Sequence, residues 1–347
     1  MPTPPYSLWA SEPDRRYYAG FTGSSGWVLV APDGARHLIT DGRYATQAAA
    51  ECAGRAQVHI VDTLATALTT LVPAGRVIEF DQATLTFGFV QQLQRSQPGY
   101  YWVPMGDRAA SHRACKGEVE LEHLRRAALI AEQALDAALR EWSRHRTEQD
   151  LQRAIERQCL QRGSLRMPFE FIVAQGERSA LPHGRASANQ LSGEPLTVDW
   201  GAEWQGYFSD QTVTVVPDRA HWNAWWQQVY DVVYAAQQAA LATVRAGASA
   251  RAVDAAARAR IAQAGMAEAF VHSTGHGVGL EIHEYPSISR SSDVQLRAGM
   301  VITVEPGVYF AGRGGVRLED TVVVTDTGYE RLTTLDKAQP IFLDSYR

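Results

Sequence analysis

Short apolar runs bounded by turn residues alternate with alanine-rich stretches through the first part of the chain. Trp27–Val30, Ala35–Thr40 and Val77–Phe80 read as strands, and Tyr44–Ala53 and Leu64–Leu71 as helices. Such alternation predicts a small α/β domain, closed by the polar stretch Gly106–Lys116, which reads as a linker. From Glu118 the apolar period lengthens. Val119, Leu121, Leu124, Ala127, Ala128, Ile130, Ala131 and Leu135 recur at helical spacing in a segment that runs to His145. Thr147-Glu-Gln-Asp150 then has the form of a capping box and opens a second helix through Leu160.

Beyond a stop at Gly163 the pattern predicts a strand over Phe169–Ala174 and a hairpin over Leu196–Val216. Two long helices follow, about His221–Ala246 and Ser249–Ala264, then a histidine-bearing glycine loop and a second hairpin over Val301–Val324. A helix pair followed by a hairpin thus occurs twice, which hints at an internal duplication, although no sequence repeat accompanies it. The expected fold class is α+β: a curved antiparallel sheet with helices on its outer face, preceded by the smaller α/β domain. At 347 residues the chain exceeds the ~250–300 at which one core stops growing, so two domains are expected, 1–112 and 118–347.

Composition narrows the partners. A formal charge of −5, with acids and bases interspersed, supplies no basic stripe, so neither nucleic acid nor an anionic membrane is expected. No stretch approaches the ~18 uncharged apolar residues of a membrane span. The start, Met-Pro-Thr-Pro-Pro-Tyr-Ser-Leu-Trp, lacks the basic and apolar regions of a signal peptide. Cys52, Cys115 and Cys159 are odd in number, widely spaced and free of any Cys-x-x-Cys, as packing cysteines of a cytoplasmic protein would be.

The two hairpins carry the candidate chemistry. In the first, a turn near Trp204-Gln205-Gly206 would set Asp199 and Asp210 face to face. In the second, Glu305 and Glu319 lie symmetrically about Gly312. Like charges opposed across a ladder are destabilising, so something positive is expected between them. Acids beside glycine are commonly turn residues, and a lone strand Asp is usually solvated. Two symmetric acid hairpins near a histidine cluster are harder to explain that way. Four carboxylates and an imidazole form a hard, oxygen-rich set suited to Mn²⁺, Co²⁺ or Zn²⁺, and bridging carboxylates favour two ions over one. A pair about 3.5–4 Å apart would activate a shared water for hydrolysis.

His272, His276 and His283 fall in Val271-His-Ser-Thr-Gly-His-Gly-Val-Gly-Leu-Glu-Ile-His-Glu284. Gly275, Gly277 and Gly279 make a ligand-bearing helix improbable here, leaving the glycine-flanked His276 as the one placed to approach a metal, and His272 and His283 for substrate. His183, in Ser179-Ala-Leu-Pro-His-Gly-Arg-Ala-Ser187, reads either as a plain loop residue or as part of a pocket wall. Gly312-Arg-Gly-Gly315 lacks the Lys-Ser/Thr of a phosphate-binding loop and reads as turn chemistry.

Together, Asp-x-Gly-x-x-x-x-Gly-Tyr-x-Ser-Asp at 199–210, the histidine run at 272–284, Val-Glu-Pro-Gly-Val-Tyr at 304–309 and Gly-Val-Arg-Leu-Glu-Asp at 315–320 resemble the pita-bread metallopeptidases. Ser-Ala-Leu-Pro-His-Gly at 179–184 narrows the resemblance to the proline-specific branch, Xaa-Pro aminopeptidases and Xaa-Pro dipeptidases (prolidases). Gly20-Phe-Thr-Gly-Ser-Ser-Gly26 and Asp41-Gly-Arg-Tyr44 resemble the creatinase-type first domain of short bacterial members.

The resemblance implies that Asp199, Asp210, His276, Glu305 and Glu319 ligate two divalent ions (Mn²⁺, Co²⁺ or Zn²⁺), with Asp210 and Glu319 bridging them and Glu305 as general base on the shared water, acting as a bridging hydroxide. It implies His272 and His283 at the scissile bond and the proline side, His183 in the pocket wall, Arg317 orienting the carboxylates, Tyr309 in the pocket, and a homodimer acting on small peptides. Val213 stands where many relatives carry Arg, a departure expected to alter how the pocket is supported or how a substrate carboxylate is held. Two alternatives stay open: a methionine aminopeptidase-like enzyme, which normally lacks the first domain and the Leu-Pro-His-Gly motif, and a non-catalytic interaction module, which tends to lose ligands.

Overall fold

The computed structural model describes residues 4–346. Residues 1–3, part of the start read above as leaderless, and Arg347, the last of the expected second domain, lie outside the described residues. The chain divides into two compact units between His112 and Arg113.

In the first unit, strands β1 (Tyr6–Trp9), β2 (Trp27–Val30), β3 (Arg36–Thr40), β4 (Gln57–Ile60), β5 (Val77–Phe80) and β6 (Tyr101–Pro104) form one sheet in the order β4-β3-β2-β1-β5-β6. Neighbouring residues on a strand point to opposite faces. Leu8, Leu29 and Ile39 therefore pack on α3 (Leu64–Leu71) and α4 (Phe87–Ser96), while Trp9, Val28 and Leu38 pack with α1 (Glu12–Ala19) and α2 (Ala45–Glu51). The polar stretch at 106–116 is more ordered than a linker. It contains the short helix α5 (Arg108–Ser111), whose Ala109 joins the core, and in the second unit Cys115 forms a β-bridge to Met300.

The second unit has two helix pairs, α6 (Glu118–Arg140) with α7 (Glu148–Gln161) and α8 (Ala224–Leu241) with α9 (Ala250–Gln263). Helices α7, α8 and α9 start where a side chain satisfies a free amide of the first turn. Thr147 and Asp150 exchange hydrogen bonds across the first turn of α7, at 3.1 and 3.0 Å, while Asn223 and Ser249 cap α8 and α9. The first pair ends in Gly163, whose φ of +101° favours glycine.

The first pair covers strands β7 (Ile172–Gln175), β8 (Leu196–Trp200), β9 (Glu203–Trp204), β10 (Tyr207–Phe208) and β11 (Gln211–Val216). The second covers β12 (Gly275–Gly277), β13 (Glu284–Ile288), β14 (Val301–Val304), β15 (Gly307–Phe310), β16 (Gly314–Arg317), β17 (Asp320–Val324) and β18 (Tyr329–Arg331), while β19 (Ile341–Phe342) returns to pair with β11. Two sheets result, β19-β11-β8-β7 and β13-β12-β14-β17-β18, with β9–β10 and β15–β16 as ribbons. All pairings in this unit are antiparallel except β11–β19, which is parallel.

Each half has its own apolar core. In the first, Trp200 is fully buried and its indole N–H donates to Ala131 O at 2.8 Å, tying the central strand to α6. Between the halves, Thr212 and Glu319 form an isolated bridge, with Glu319 N–H donating to Thr212 O at 3.1 Å. That seam is where the acids gather.

Candidate metal centre

The register of the second hairpin keeps its expected symmetry. Val304 opposes Asp320 and Gly307 opposes Arg317, so Glu305 and Glu319 face each other between the two ladders. In the first hairpin the expected opposition of Asp199 and Asp210 is incorrect. Asp199 opposes Thr212, because the turn is the two-residue Gln205-Gly206 with φ of +51° and +85°, which puts its centre one residue further toward the C-terminus than an Asp199–Asp210 opposition requires. Register shifts by two, side-chain parity is unchanged, and the two carboxylates stay on the same face, diagonal to one another.

Two glycines permit this packing. A Cβ on Gly201 would stand 1.9 Å from Ser209 O, and one on Gly275 would stand 2.0 Å from Thr303 O. Each close approach lies next to a candidate ligand, Asp210 in the first case and His276 in the second.

Around the seam, His276 Nε2 lies 3.3 Å from Glu305 Oε1 and 3.6 Å from Asp210 Oδ2. Its Nδ1 donates to Gly277 O at 3.0 Å, which leaves the Nε2 lone pair free to face a metal ion. Ligand atoms of Asp210, His276 and Glu319 all fall within 4.8 Å of one another. Asp199 Oδ2 accepts from Arg317 Nη2 at 2.6 Å, and Glu319 Oε2 accepts from Thr212 Oγ1 at 2.8 Å. The other oxygens of these two acids, Asp199 Oδ1 and Glu319 Oε1, are buried without a hydrogen-bond partner. Buried acceptors are costly to leave unmet, so this observation fits residues that hold a cation.

Charge balance points the same way. Burial drives Asp210 and Glu319 well above the ordinary carboxylate range, reinforced for Asp210 by Glu319, Asp199 and Glu305, and for Glu319 by Glu305 and Asp199. Burial also raises Asp199, against the pull of Arg317. In Glu305, burial is outweighed by the hydrogen bond and charge of His276, with help from His272 and Arg317, and the carboxyl is held at about 2. His276 rises in turn, since Glu305 overcomes its own desolvation. Divalent cations would replace this compromise with full ionisation of the acids.

The remaining candidate residues divide by how free they are. Arg317 is buried and spends every nitrogen: Nε on Thr212, Nη1 on Tyr309 and Pro182 O, and Nη2 on Asp199. Tyr309 OH accepts from Arg317 and lies 2.8 Å from His272 Nε2, while His272 Nδ1 meets Ser273 O at 2.7 Å. His272 is therefore wired into the wall on both ring nitrogens. Burial pushes the Tyr309 hydroxyl up to about 12 and the His272 imidazole below its usual value. His283 packs edge-on against His276 at 4.3 Å, and burial, then the His276 charge, lowers it. Neither His283 nor His183 has a hydrogen-bond partner among the described residues, and both line the same cavity of about 460 Å³ as the four acids and the His276 imidazole. Val213 does not. It is buried in the apolar core beneath α6 and α7, on the opposite face of β11 from Thr212, so the expected effect on carboxylate holding does not follow.

Sequence reasoning missed Thr212 and Thr303, which set the acids, and the cavity wall formed by Phe169, Glu170, Ile172 and Arg185. Arg185 alone carried a signal, lying two residues beyond His183.

A buried cradle of four carboxylates and one imidazole at the seam of a helix-backed double sheet has the donor set of a divalent-metal site, and the family match makes the protein a metallopeptidase. The chain belongs to metallopeptidase family M24, whose model matches residues 122–326, and a creatinase/prolidase N-terminal domain matches residues 7–115. It is 37% identical over 257 residues, 74% of this chain and 73% of the relative, to an Xaa-Pro dipeptidase of Pyrococcus horikoshii. Among solved structures it resembles an X-Pro aminopeptidase of Thermotoga maritima (TM-score 0.89, 31% identity, 97% of each chain). It also resembles an Xaa-Pro dipeptidase of Bacillus anthracis (TM-score 0.88, 35% identity, covering 97% of this chain and 94% of that one). As an M24 metallopeptidase it uses divalent metal. No helix among the described residues is long and apolar enough to cross a membrane.

Proposed function

We propose that the protein is an exopeptidase that hydrolyses the N-terminal Xaa-Pro bond of dipeptides and short peptides, using two ions of Mn²⁺, Co²⁺ or Zn²⁺ held by Asp199, Asp210, His276, Glu305 and Glu319. The observation that carries this reading is the complete ligand set around buried, unmet carboxylate oxygens, in a cavity whose wall also offers two unpartnered imidazoles. When bound, the ions supply Lewis acidity that polarises the scissile carbonyl and makes a water acidic enough to attack at neutral pH.

The chain's own groups do the rest. Glu305, held ionised far below neutrality, accepts the proton of the attacking water at a carboxylate oxygen and returns it to the departing proline nitrogen. His283, neutral and without a protein partner, donates a hydrogen bond to the carbonyl oxygen as negative charge grows there. His183 lines the proline side. The Arg317–Tyr309–His272 chain fixes Asp199 and keeps the wall in place. A prolyl amide has no N–H, so peptidases that bind that donor handle it poorly, and a dedicated site is useful.

The test is chromatography of products from Ala-Pro and Ala-Pro-Ala with each metal added in turn. Release of free proline or of Pro-Ala is expected; cleavage of neither sinks the reading. The protein is expected to act as a homodimer, and a monomeric mass by light scattering would contradict that.

A further inference from the structure

Neighbouring residues of an extended chain point to opposite faces, and His283 and Glu284 divide in this way. His283 lines the metal cavity and packs on His276, whereas Glu284 does not line it. The Glu284 side chain is 4% exposed and runs into the protein, where three donors meet it. Its Oε2 accepts from Lys116 Nζ at 3.0 Å, while its Oε1 pairs with Arg113 Nη2 at 3.2 Å and accepts from the Glu281 N–H at 3.1 Å. Both cations are buried as well, and Arg113 also pairs with Glu281.

The base of this clamp is fixed independently of the loop it holds. Ala114 joins the apolar core of the second half, Cys115 bridges to Met300, and the Lys116 N–H donates to Gly299 O at 2.8 Å. The 113–116 segment is thereby stitched to the chain entering β14. The loop is in turn shaped to receive the ion pair. A Cβ on Gly279 would stand 2.6 Å from Glu284 Oε2 and 3.0 Å from Lys116 Cε. One on Gly277, which opposes Glu284 in the ladder, would stand 2.4 Å from Tyr285 O. Neither glycine has a positive φ, so what each supplies is room: for the Lys116–Glu284 pair, and for the strand that follows His283 to lie against the one that carries His276.

A buried ion pair is a weak source of stability, because an apolar cluster of similar volume often serves as well. What two cations on one carboxylate do supply is a single geometry. The contrast with His272 shows where that geometry is needed. His272 is held by both of its ring nitrogens, at Ser273 O and Tyr309 OH. The His283 ring has no such hold, so its placement depends on the backbone, and the next residue along that backbone is the clamped Glu284.

We infer that Glu284 is a positioning residue of the site: clamped by Lys116 and Arg113, it holds His283 within reach of the scissile carbonyl oxygen. The inference rests on the role given to His283 under the proposed function. Its first test is a double-mutant cycle on Mn²⁺-loaded enzyme with Ala-Pro, using Lys116→Met, His283→Ala and the two combined. Lys116→Met should lower kcat roughly five- to tenfold with KM and metal content near wild type. In the His283→Ala background it should cost less than about twofold, because a residue that acts through His283 then has nothing left to place.

The second test needs no turnover. In Zn²⁺-loaded protein with ¹³C-labelled histidine, the His283 ring signal, identified by its absence from His283→Ala, should be a sharp line in wild type that shifts or broadens in Lys116→Met. An unchanged kcat in Lys116→Met, the same fold loss in both backgrounds, or an unmoved His283 signal overturns the inference and leaves the peptidase reading standing. If wild type cleaves neither Ala-Pro nor Ala-Pro-Ala, the peptidase reading falls, and the ring signal alone decides whether the clamp places His283. Should Lys116→Met fail to fold, Lys116→Met combined with Glu284→Gln takes its place in both tests, since Arg113 then keeps its pair with Glu281 and no buried charge is stranded.

Discussion

The two acid hairpins solve the same electrostatic problem differently. Each brings two carboxylates onto one buried face, and in each one acid has the closer cationic partner: His276 Nε2 stands 3.6 Å from Asp210 Oδ2, and Glu319 accepts from the neutral Thr212 hydroxyl. In the first hairpin the neighbour is Arg317, a permanent charge that is itself tied to four groups. In the second it is His276, which also offers Nε2 as a ligand and can lose its proton. The fixed pair organises; the titratable pair is free to change state during a reaction. Glu305, at about 2, and Glu319, pushed far up, show how far apart two facing acids are driven when only one is paired with an imidazole at close range.

Breaking the second hairpin should have the largest effect. Glu305→Ala is expected to lower kcat by roughly 10³-fold or more with the fold intact by circular dichroism, since a general base contributes about 10²–10⁴ and this one is also a candidate ligand. Near-normal turnover would remove it from the reaction. Breaking the first hairpin's support should matter less: Arg317→Met is expected to weaken Mn²⁺ binding about 10–100-fold by calorimetry, as losses of groups behind a metal ligand commonly do. A variant binding as tightly as wild type would make the Arg317–Asp199 pair incidental.

His283→Ala should reduce kcat roughly tenfold while metal content by atomic emission stays at the wild-type level, because its nitrogens hold no protein group. Loss of metal would instead make it part of the cradle. The smallest effect concerns the acids that burial holds protonated. In metal-free protein Asp210 has a raised carboxyl pKa, so the stability it contributes is complete below the ordinary carboxylate range and is lost as pH rises through the raised value. The melting temperature of metal-free wild type should therefore decline more steeply above about pH 4 than that of metal-free Asp210→Asn. Parallel profiles would show that the Asp210 charge is already compensated.

How much of this could be read in advance depended on local signals. The cap of α7 was legible because Thr147 and Asp150 satisfy each other within one turn. The second hairpin's register was legible because Gly312 and its neighbours mark the turn, whereas Gln205 in a left-handed conformation gives no compositional warning and displaced the first hairpin's centre. The pairing of the two-residue strand Ile341–Phe342 with β11 is too short to leave a pattern. The candidate ligands stood out by type and spacing, but the engagement of His272, the burial of Val213 and the placement of Arg185 depend on partners far away in sequence.

The bridge between Thr212 and Glu319 has a consequence for assembly. Asp199 and Asp210 lie in or beside strands β8 and β11 of one sheet, and His276, Glu305 and Glu319 in or beside β12 and the β14–β17 hairpin of the other half, so neither half by itself carries the full cradle. Under the proposed ligand assignment, ion capture would act as a latch between the two halves. A partly folded chain with only one half formed would lack part of that ligand set, and the onset of tight metal uptake during refolding would time the closure of the seam.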